Sequence, residues 1–374
     1  MLNYKMIKSW DYQNEYVFLK KDILKSIDKV LKSGNLFFGN ELDKFEKAFL
    51  KTNNSQYGVA VASGTDAIYL SLKALNIGSN DEVITVANTA IPTVSAIRNT
   101  GASVKFIDTR NDYLMDPNKL EKAISKKTKV IIPVHLYGQS CEMNKILKIA
   151  KRYRIKVIED CAQAQGASYN NKKVGTMGTT GCFSFYPTKI LGAYGDGGFV
   201  TTNNKKIYQK LRRLRFYGME QLNPKKWWNK KYFAVENGTN SRLGEIQAAI
   251  LNIKIKYLKK FIKKRREIAQ MYNKGIKNKN IIKPIENKNN FHVYHLYVVA
   301  HKNRKEILKK MKKNNINLGI QYPYPIHKMT AYKNKTSKKL NSTENLSKKI
   351  FSLPTYPSIE KHKIKKIIKI LNRL

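Results

Sequence analysis

The chain predicts an α/β protein, with a mostly parallel sheet covered by helices and a smaller second domain behind it. Three observations carry that expectation. Between residue 57 and about residue 200, short apolar runs alternate with amphipathic stretches of helical period, the pattern of βα units in a parallel sheet. The stretch 276–290 is rich in lysine and asparagine and reads as a linker. With 374 residues and 42% hydrophobic content, the chain has enough apolar material for one large core and a smaller one. The division expected is 1–275 for an N-terminal arm and large domain, and 276–374 for the small C-terminal domain.

The elements follow in order. Residues 15–50 read as helical, with Phe18, Ile23, Ile27 and Leu31 on one face and a stop and turn at Ser33-Gly34-Asn35. Val59-Ala60-Val61 predicts a strand and leads to a helix through Ala74; Val83–Val86 leads to a helix through Arg98. Strands are then expected at Ser103–Ile107, Val130–Val134 and Val157–Asp160. After Gly198-Phe199-Val200 a helix is expected through about Phe216, then a polar, tryptophan-bearing loop at 218–240 and a long helix from Arg242 to about Gly275. The small domain is expected to hold strands at Phe291–Ala300 and Ile316–Ile320, a helix at Lys305–Lys313 and a terminal helix from about Ile359.

A formal net charge of +46 raises the question of nucleic acid. The lysines are spread along the whole chain with abundant asparagine and isoleucine, and no zinc-finger, RRM-type or zipper pattern accompanies them. No nucleic-acid partner is expected; a basic surface would instead attract a small anionic substrate. No apolar run is long enough to span a membrane, and Met1–Lys5 turns polar at once, so neither span nor signal peptide is expected. Cys141, Cys161 and Cys182 show no CxxC spacing and are expected to be buried, quiet thiols of a cytoplasmic protein. His135, His292, His295 and His327 lack metal-ligand spacing, and no metal site is expected. The chain has no GxGxxG after its first strand, no GxxxxGK[ST] loop and no GxSxG elbow.

The candidate chemistry begins at Lys189, in an aromatic, glycine-flanked turn (Phe183–Lys189 running on to Gly198) that follows an apolar run. An amine near an apolar wall deprotonates more easily and can then attack a carbonyl. Asp160 ends an apolar strand, where a carboxylate faces the crevice above a parallel sheet and can pair with a protonated ring nitrogen; a helix-capping aspartate is the plainer alternative. Gln163, three positions on, has an amide to offer the same ligand, or is a surface residue. Ser63-Gly64-Thr65-Asp66 sits between strand and helix, where free N–H groups suit a phosphate or a simple cap. Ser184, inside the apolar run, needs a partner, supplied by the same phosphate or by a backbone carbonyl. Asn240-Ser241-Arg242-Leu243 precedes the long helix and caps it in the plainer reading.

In their order along nearly the whole chain, these pieces resemble the DegT/DnrJ/EryC1/StrS aminotransferases. The resemblance rests on Ser33-Gly34 with Gly39 and Phe45-Glu46, Ser63–Ala67, Ala87-Asn88-Thr89, Val134–Gln139, Glu159–Ala164, Phe183–Gly198, Asn240–Leu243 with Glu245–Ala249, Tyr322–His327 and Leu353–Pro357. It implies the aspartate-aminotransferase fold (fold type I), with a mostly parallel seven-stranded sheet and a smaller C-terminal α+β domain. It also implies pyridoxal 5′-phosphate as cofactor, passing through pyridoxamine 5′-phosphate during turnover. On the matching positions, Lys189 forms the Schiff base and shuttles the proton, Asp160 pairs with the pyridine nitrogen, and Gln163 contacts the ring's oxygen side. Gly64, Thr65 and Ser184 hold the phosphate. Asn240 reaches the cofactor phosphate of a partner subunit, implying a homodimer with shared sites, and His327 lies where the family touches substrate. The implied reaction moves an amino group from L-glutamate to an anionic oxo acceptor: a 3-oxo or 4-oxo deoxyhexose on a nucleoside diphosphate, for surface polysaccharide or glycan synthesis. A small phosphorylated ketone (dihydroxyacetone-phosphate-like), an oxo-cyclitol, or a non-catalytic regulator that binds the cofactor are the alternatives; Arg215 and Lys328 could serve any anionic acceptor. Two departures from the family pattern, Ala90-Ile91 in place of an aromatic residue and Gly244 in place of aspartate, fall where they would reshape the acceptor pocket.

Overall fold

A computed structural model describes residues 6–220, 232–333 and 339–374. Met1–Lys5 and the tryptophan-bearing part of the 218–240 loop, 221–231, lie outside the described residues. The central sheet is built from β1 (Tyr57–Val61), β2 (Glu82–Val86), β3 (Ser103–Ile107), β4 (Thr128–Ile131), β5 (Lys156–Asp160), β8 (Thr180–Ser184) and β9 (Gly198–Thr202). Between β5 and β8 lie the two-residue strands β6 (Ser168–Tyr169) and β7 (Lys172–Lys173). The seven strands run in the order β1-β9-β8-β5-β4-β2-β3. All neighbours pair in parallel except β9, which is antiparallel to both β1 and β8.

Successive residues of each strand serve opposite faces, as the period of two requires. Val59, Val61, Cys182 and Val200 pack into one core with α3 (Gly64–Ala74), α4 (Ile91–Asn99) and α6 (Lys205–Leu214). Ala60, Phe183 and Phe199 point the other way, against α2 (Asn40–Asn53), α7 (Glu245–Lys254) and α8 (Leu258–Gly275). In that second core Phe45, Phe49, Phe183, Phe185 and Phe199 form an aromatic cluster, with Phe49 at ring-centroid distances of 4.8 Å from Phe199 and 5.0 Å from Phe183. α5 (Met143–Arg152) covers a neighbouring core around β2 and β4.

A further core gathers Ile268, Ala269 and Tyr272 of α8, Ile7, and the pair β11 (Tyr297–Ala300) and β12 (Ile350–Leu353) under α9 (Arg304–Lys313) and α11 (Lys361–Leu371). α8 thus contributes its first half to the sheet and its second half to this outer core. α10 (Asn341–Lys349) closes the array; the Asp108 carboxylate accepts from Ser342 N, Thr343 N and Thr343 Oγ1 at its start.

Several expected elements change form. α1 (Gln13–Ser33) buries Leu19, Ile23 and Val30, whereas Phe18 and Leu31 are exposed, so its apolar stripe is rotated from the one expected. The long helix begins only at Glu245 and is interrupted by a 3₁₀ turn at Ile255–Tyr257. The fourth strand stops at Ile131 because Pro133 has no N–H for the ladder. The strand expected at Phe291–Ala300 is two, β10 (Asn290–Phe291), paired with β6, and β11, separated by Tyr294 at a left-handed φ of 47°. At Ile316–Ile320 only the single bridges Ile7↔Ile316 and Gly319↔Ser352 form among the described residues.

Glu245 ties this frame together: its carboxylate, 2% exposed, accepts from Gly39 N, Glu41 N and Leu42 N at 2.8–3.1 Å and so caps α2. Replacing Phe49 by Ala should lower the unfolding free energy by about 4 kcal/mol in denaturant titration, since it empties the aromatic cluster. The solvent-facing Val17→Ala is the control, expected to change it by less than about 0.5 kcal/mol.

Candidate active site

Because β2, β4, β5 and β8 are parallel, their carboxyl ends share one edge of the sheet. Asn88-Thr89, Val134-His135, Asp160 and Ser184 all lie there. β9 must run back, so residues 185–197 turn over that edge and carry Lys189 with them. The turn is closed by Lys189 N to Tyr186 O (2.9 Å), Ala193 N to Phe185 O (2.7 Å) and Phe185 N to Gly197 O (2.7 Å). Gly192 is required in it, because a Cβ there would stand 2.5 Å from Pro187 O. Gln165 staples the turn from below: its Nε2 donates to Ser184 O at 2.6 Å and Leu191 O at 3.2 Å.

Lys189 is half-buried and borders a cavity of about 130 Å³ shared with Gln163, Tyr322 and His295. Burial lowers its pKa to about 8, partly offset by the negative charge of Asp160. Asp160 is 4% exposed, and burial raises its pKa. Opposing that rise, Thr93 Oγ1 donates to Oδ2 at 2.8 Å and Ala162 N to Oδ1 at 3.1 Å. Thr93 in turn shares a hydrogen bond with Thr89 Oγ1 at 2.9 Å.

The neighbouring Glu159 points to the opposite face of β5. Fully buried, it accepts from Gly175 N, Met177 N and Gly178 N at 2.6–2.9 Å, and lies 3.0 Å from His135 Nε2. Cys141 N donates to His135 Nδ1, so the ring proton sits on Nε2 and faces Glu159. The main chain completes the bracket, with His135 N to Asp160 O and Asp160 N to Pro133 O, both 3.0 Å. His135, Glu159 and Cys161 offer atoms within 4.8 Å of one another, a spacing a metal could use. The Glu159 and His135 atoms are already committed to these bonds, and Cys161 Sγ to Glu159 O.

Gly64 and Thr65 open α3, where the first N–H groups have no intrahelical partner. Ser63 caps the helix by accepting from Asp66 N at 3.1 Å. Ser184 stands directly across from Gly64: a Cβ on Gly64 would meet Ser184 Cβ at 2.6 Å and Oγ at 3.1 Å. Free N–H groups at a helix N-terminus beside a serine hydroxyl suit a phosphate. Ser241 Oγ donates to Asp66 Oδ2 at 2.8 Å and accepts from Ala62 N, which ties the Asn240-Ser241 segment to the same helix start. Asn240 itself is exposed and accepts from Arg242 Nε at 2.8 Å.

Gln163 Oε1 accepts from Tyr137 N at 2.8 Å, and its Nε2 donates to Tyr322 Oη at 2.9 Å. His327 is 1% exposed; its Nε2 lies 3.0 Å from Glu344 and its Nδ1 is buried without a partner. Its segment docks on the strand-end edge through Ile326 N to Ala87 O at 3.1 Å. Arg215 is not open to an acceptor: it is 4% exposed, bonded to Glu46 at 2.7 Å and Ala60 O at 3.0 Å. Lys328 lies 3.4 Å from Glu344. Of the two departures, Ile91 is exposed and Gly244 faces open space, a Cβ there meeting only Phe37 at 3.8 Å. Sequence reasoning missed Thr93, Gln165 and Tyr322 as supports of the site; the one available signal was the amide of Gln165 inside an apolar stretch.

The Lys189 amine should label with an acylating reagent at a rate that climbs through pH about 8 and levels off above it, read by mass spectrometry of the cofactor-free protein. In Asp160→Asn the midpoint should move lower, because the carboxylate that stabilises the ammonium is gone. An unchanged midpoint would break the proposed coupling.

The model of the DegT/DnrJ/EryC1/StrS aminotransferase family matches residues 18–372. The dTDP-3-amino-3,4,6-trideoxy-alpha-D-glucose transaminase of Micromonospora megalomicea subsp. nigra is 43% identical, over 94% of this chain and 94% of its own. The dTDP-3-amino-3,6-dideoxy-alpha-D-galactopyranose transaminase of Aneurinibacillus thermoaerophilus is 41% identical, over 98% of this chain and 99% of its own. The crystal structure of S. venezuelae DesV in complex with a ketimine intermediate superposes with a TM-score of 0.94 at 33% identity, covering 99% of this chain and 98% of that one. With a fold that agrees over the whole sheet and a sequence match from residue 18 to residue 372, the chain belongs to the DegT/DnrJ/EryC1/StrS aminotransferase family.

Proposed function

We propose that this chain is a pyridoxal-5′-phosphate-dependent aminotransferase that passes an amino group from L-glutamate to a 3-oxo deoxyhexose on a nucleoside diphosphate. The observation that carries the reading is the convergence of Lys189, Asp160 and the Gly64–Ser184 cradle on one sheet edge. Two relatives above 40% identity name a dTDP-sugar aminated at C3, which supports the sugar class and position.

The cofactor fits the residues present. Gly64 N–H, Thr65 and Ser184 Oγ offer a cradle for its phosphate at the positive end of α3. Asp160, whose charge is costly while buried, is stabilised by a cation such as a protonated ring nitrogen. Bound there, the cofactor supplies an electrophilic carbonyl and an electron sink. The Lys189 amine, with a pKa near 8, has a substantial neutral fraction at physiological pH. It can therefore accept a proton from the donor's α-carbon and return one to the acceptor carbon. Thr93 and Ala162 N hold the Asp160 carboxylate in orientation while that proton moves.

A homodimer is part of the proposal. Leu36, Phe37, Phe38, Tyr217, Phe233 and Val235 are exposed around Asn240 and Arg242, and Arg242 stacks over Phe37 at 4.4 Å. Exposed apolar residues in such number support an interface, in which a second copy would bring Asn240 toward the neighbouring site. Among the described residues no helix is long and apolar enough to cross a membrane.

Borohydride reduction of the cofactor-loaded protein should fix the cofactor on Lys189 alone, seen by peptide mapping, and Lys189→Ala should lose turnover by at least about a thousandfold. Glutamate offered with a panel of acceptors should aminate nucleotide 3-oxo sugars; amination of small phosphoketones alone would overturn the acceptor assignment. Phe37→Asp should yield a monomer by sedimentation, with Lys189 still reactive toward acylating reagents.

A further inference from the structure

Between α8 and the β6–β7 hairpin lies a groove of about 740 Å³. Leu258 and Ile262, both nearly buried, and the half-exposed ring of Phe291 give it an apolar lining. Its cations are Lys173 from β7 and, on one face of α8, Lys259, Lys263 and Arg266. Negative charge in this region is already taken. Arg266 is paired with Glu286 at 2.7 Å, and Glu267, the carboxylate of the lining, is held by Lys264 at 2.9 Å. Among the described residues, Lys173, Lys259 and Lys263 form no ion pair with a carboxylate. Three ammonium groups therefore share one apolar-lined groove without a counterion, an arrangement that concentrates small anions.

Lys173 differs from the other two. It is half-buried, whereas Lys172 beside it and Lys259 and Lys263 on α8 are exposed. Its Nζ donates to Gly166 O at 3.0 Å, which fixes the amine against the groove wall. Burial, and after it the positive charge of Lys259, lower its pKa. A lysine desolvated beside another cation is in the setting that makes this amine a nucleophile at neutral pH. Once neutral, it keeps an N–H for Gly166 O and has a lone pair to turn toward the groove.

We propose that Lys173 is a site of covalent acylation, with an acyl phosphate as the donor that the groove receives. The phosphate lies among Lys259 and Lys263 and the acyl group against Ile262 and Phe291, which brings the acyl carbon to Nζ. The nitrogen lone pair forms the C–N bond as the acyl C–O bond to phosphate breaks. The bonding electrons leave with the phosphate, and the surplus ammonium proton passes to water. An amide and inorganic phosphate are the products, so no oxidant or reductant is needed. This site is separate from the Lys189 amine and does not depend on the aminotransferase reaction.

The test is incubation of the full-length, cofactor-loaded protein with acetyl phosphate, followed by peptide mass spectrometry of acetylation at each lysine over time. Lys173 should be acetylated about fivefold or more faster than Lys172, its exposed neighbour in the same hairpin. The neutral acetyl ester of N-hydroxysuccinimide should show a smaller preference for Lys173, because it gains nothing from the cations. Lys259→Glu combined with Lys263→Glu places carboxylates in the groove from the exposed face of α8, where no core contact is lost. The double variant should bring the Lys173 rate with acetyl phosphate down to that of Lys172, with aminotransferase turnover unchanged. Equal rates at Lys173 and Lys172 in the wild-type protein would overturn the proposal. So would an undiminished preference in the double variant, or one equally strong with the neutral ester.

Discussion

One strand direction governs this molecule. Parallel neighbours deliver their carboxyl ends to a single edge, and β9, running the other way, obliges residues 185–197 to cross that edge. The crossing places Lys189 in the same crevice as Asp160. Everything that stiffens it, from Gln165 beneath to the phenylalanine cluster behind, therefore acts on the position of one amine.

The electrostatics follow from that burial. Desolvation pushes Lys189 down and Asp160 up, so burial disfavours the charged form of each. Neighbouring Glu159 has the opposite fate: three backbone N–H groups and His135 satisfy it completely. Two adjacent carboxylates on one strand thus divide their work by face. Glu159 anchors the strand end, and Asp160 faces Thr93 and the charge of Lys189.

Much of the site was legible because its residues break the local pattern: a carboxylate ending an apolar strand, a lysine among aromatics and glycines, a helix start with Gly64 and Thr65. Their supports were not. Thr93 reads as an ordinary residue of α4 until folding brings it to Asp160. Arg215 reads as a candidate anion binder until Glu46, distant in sequence, occupies it. Strand ends fared likewise, since Pro133 and the left-handed Tyr294 end ladders whose apolar runs continue.

By itself the sequence determined the βα order and the mostly parallel sheet, and it singled out Lys189 and Asp160 as candidates, because periodicity and local chemistry are properties of neighbours along the chain. The tertiary structure alone decided which polar groups are satisfied and which remain free. Hydrogen bonds and ion pairs between distant segments exist only once the sheet has closed and water has been removed from between them.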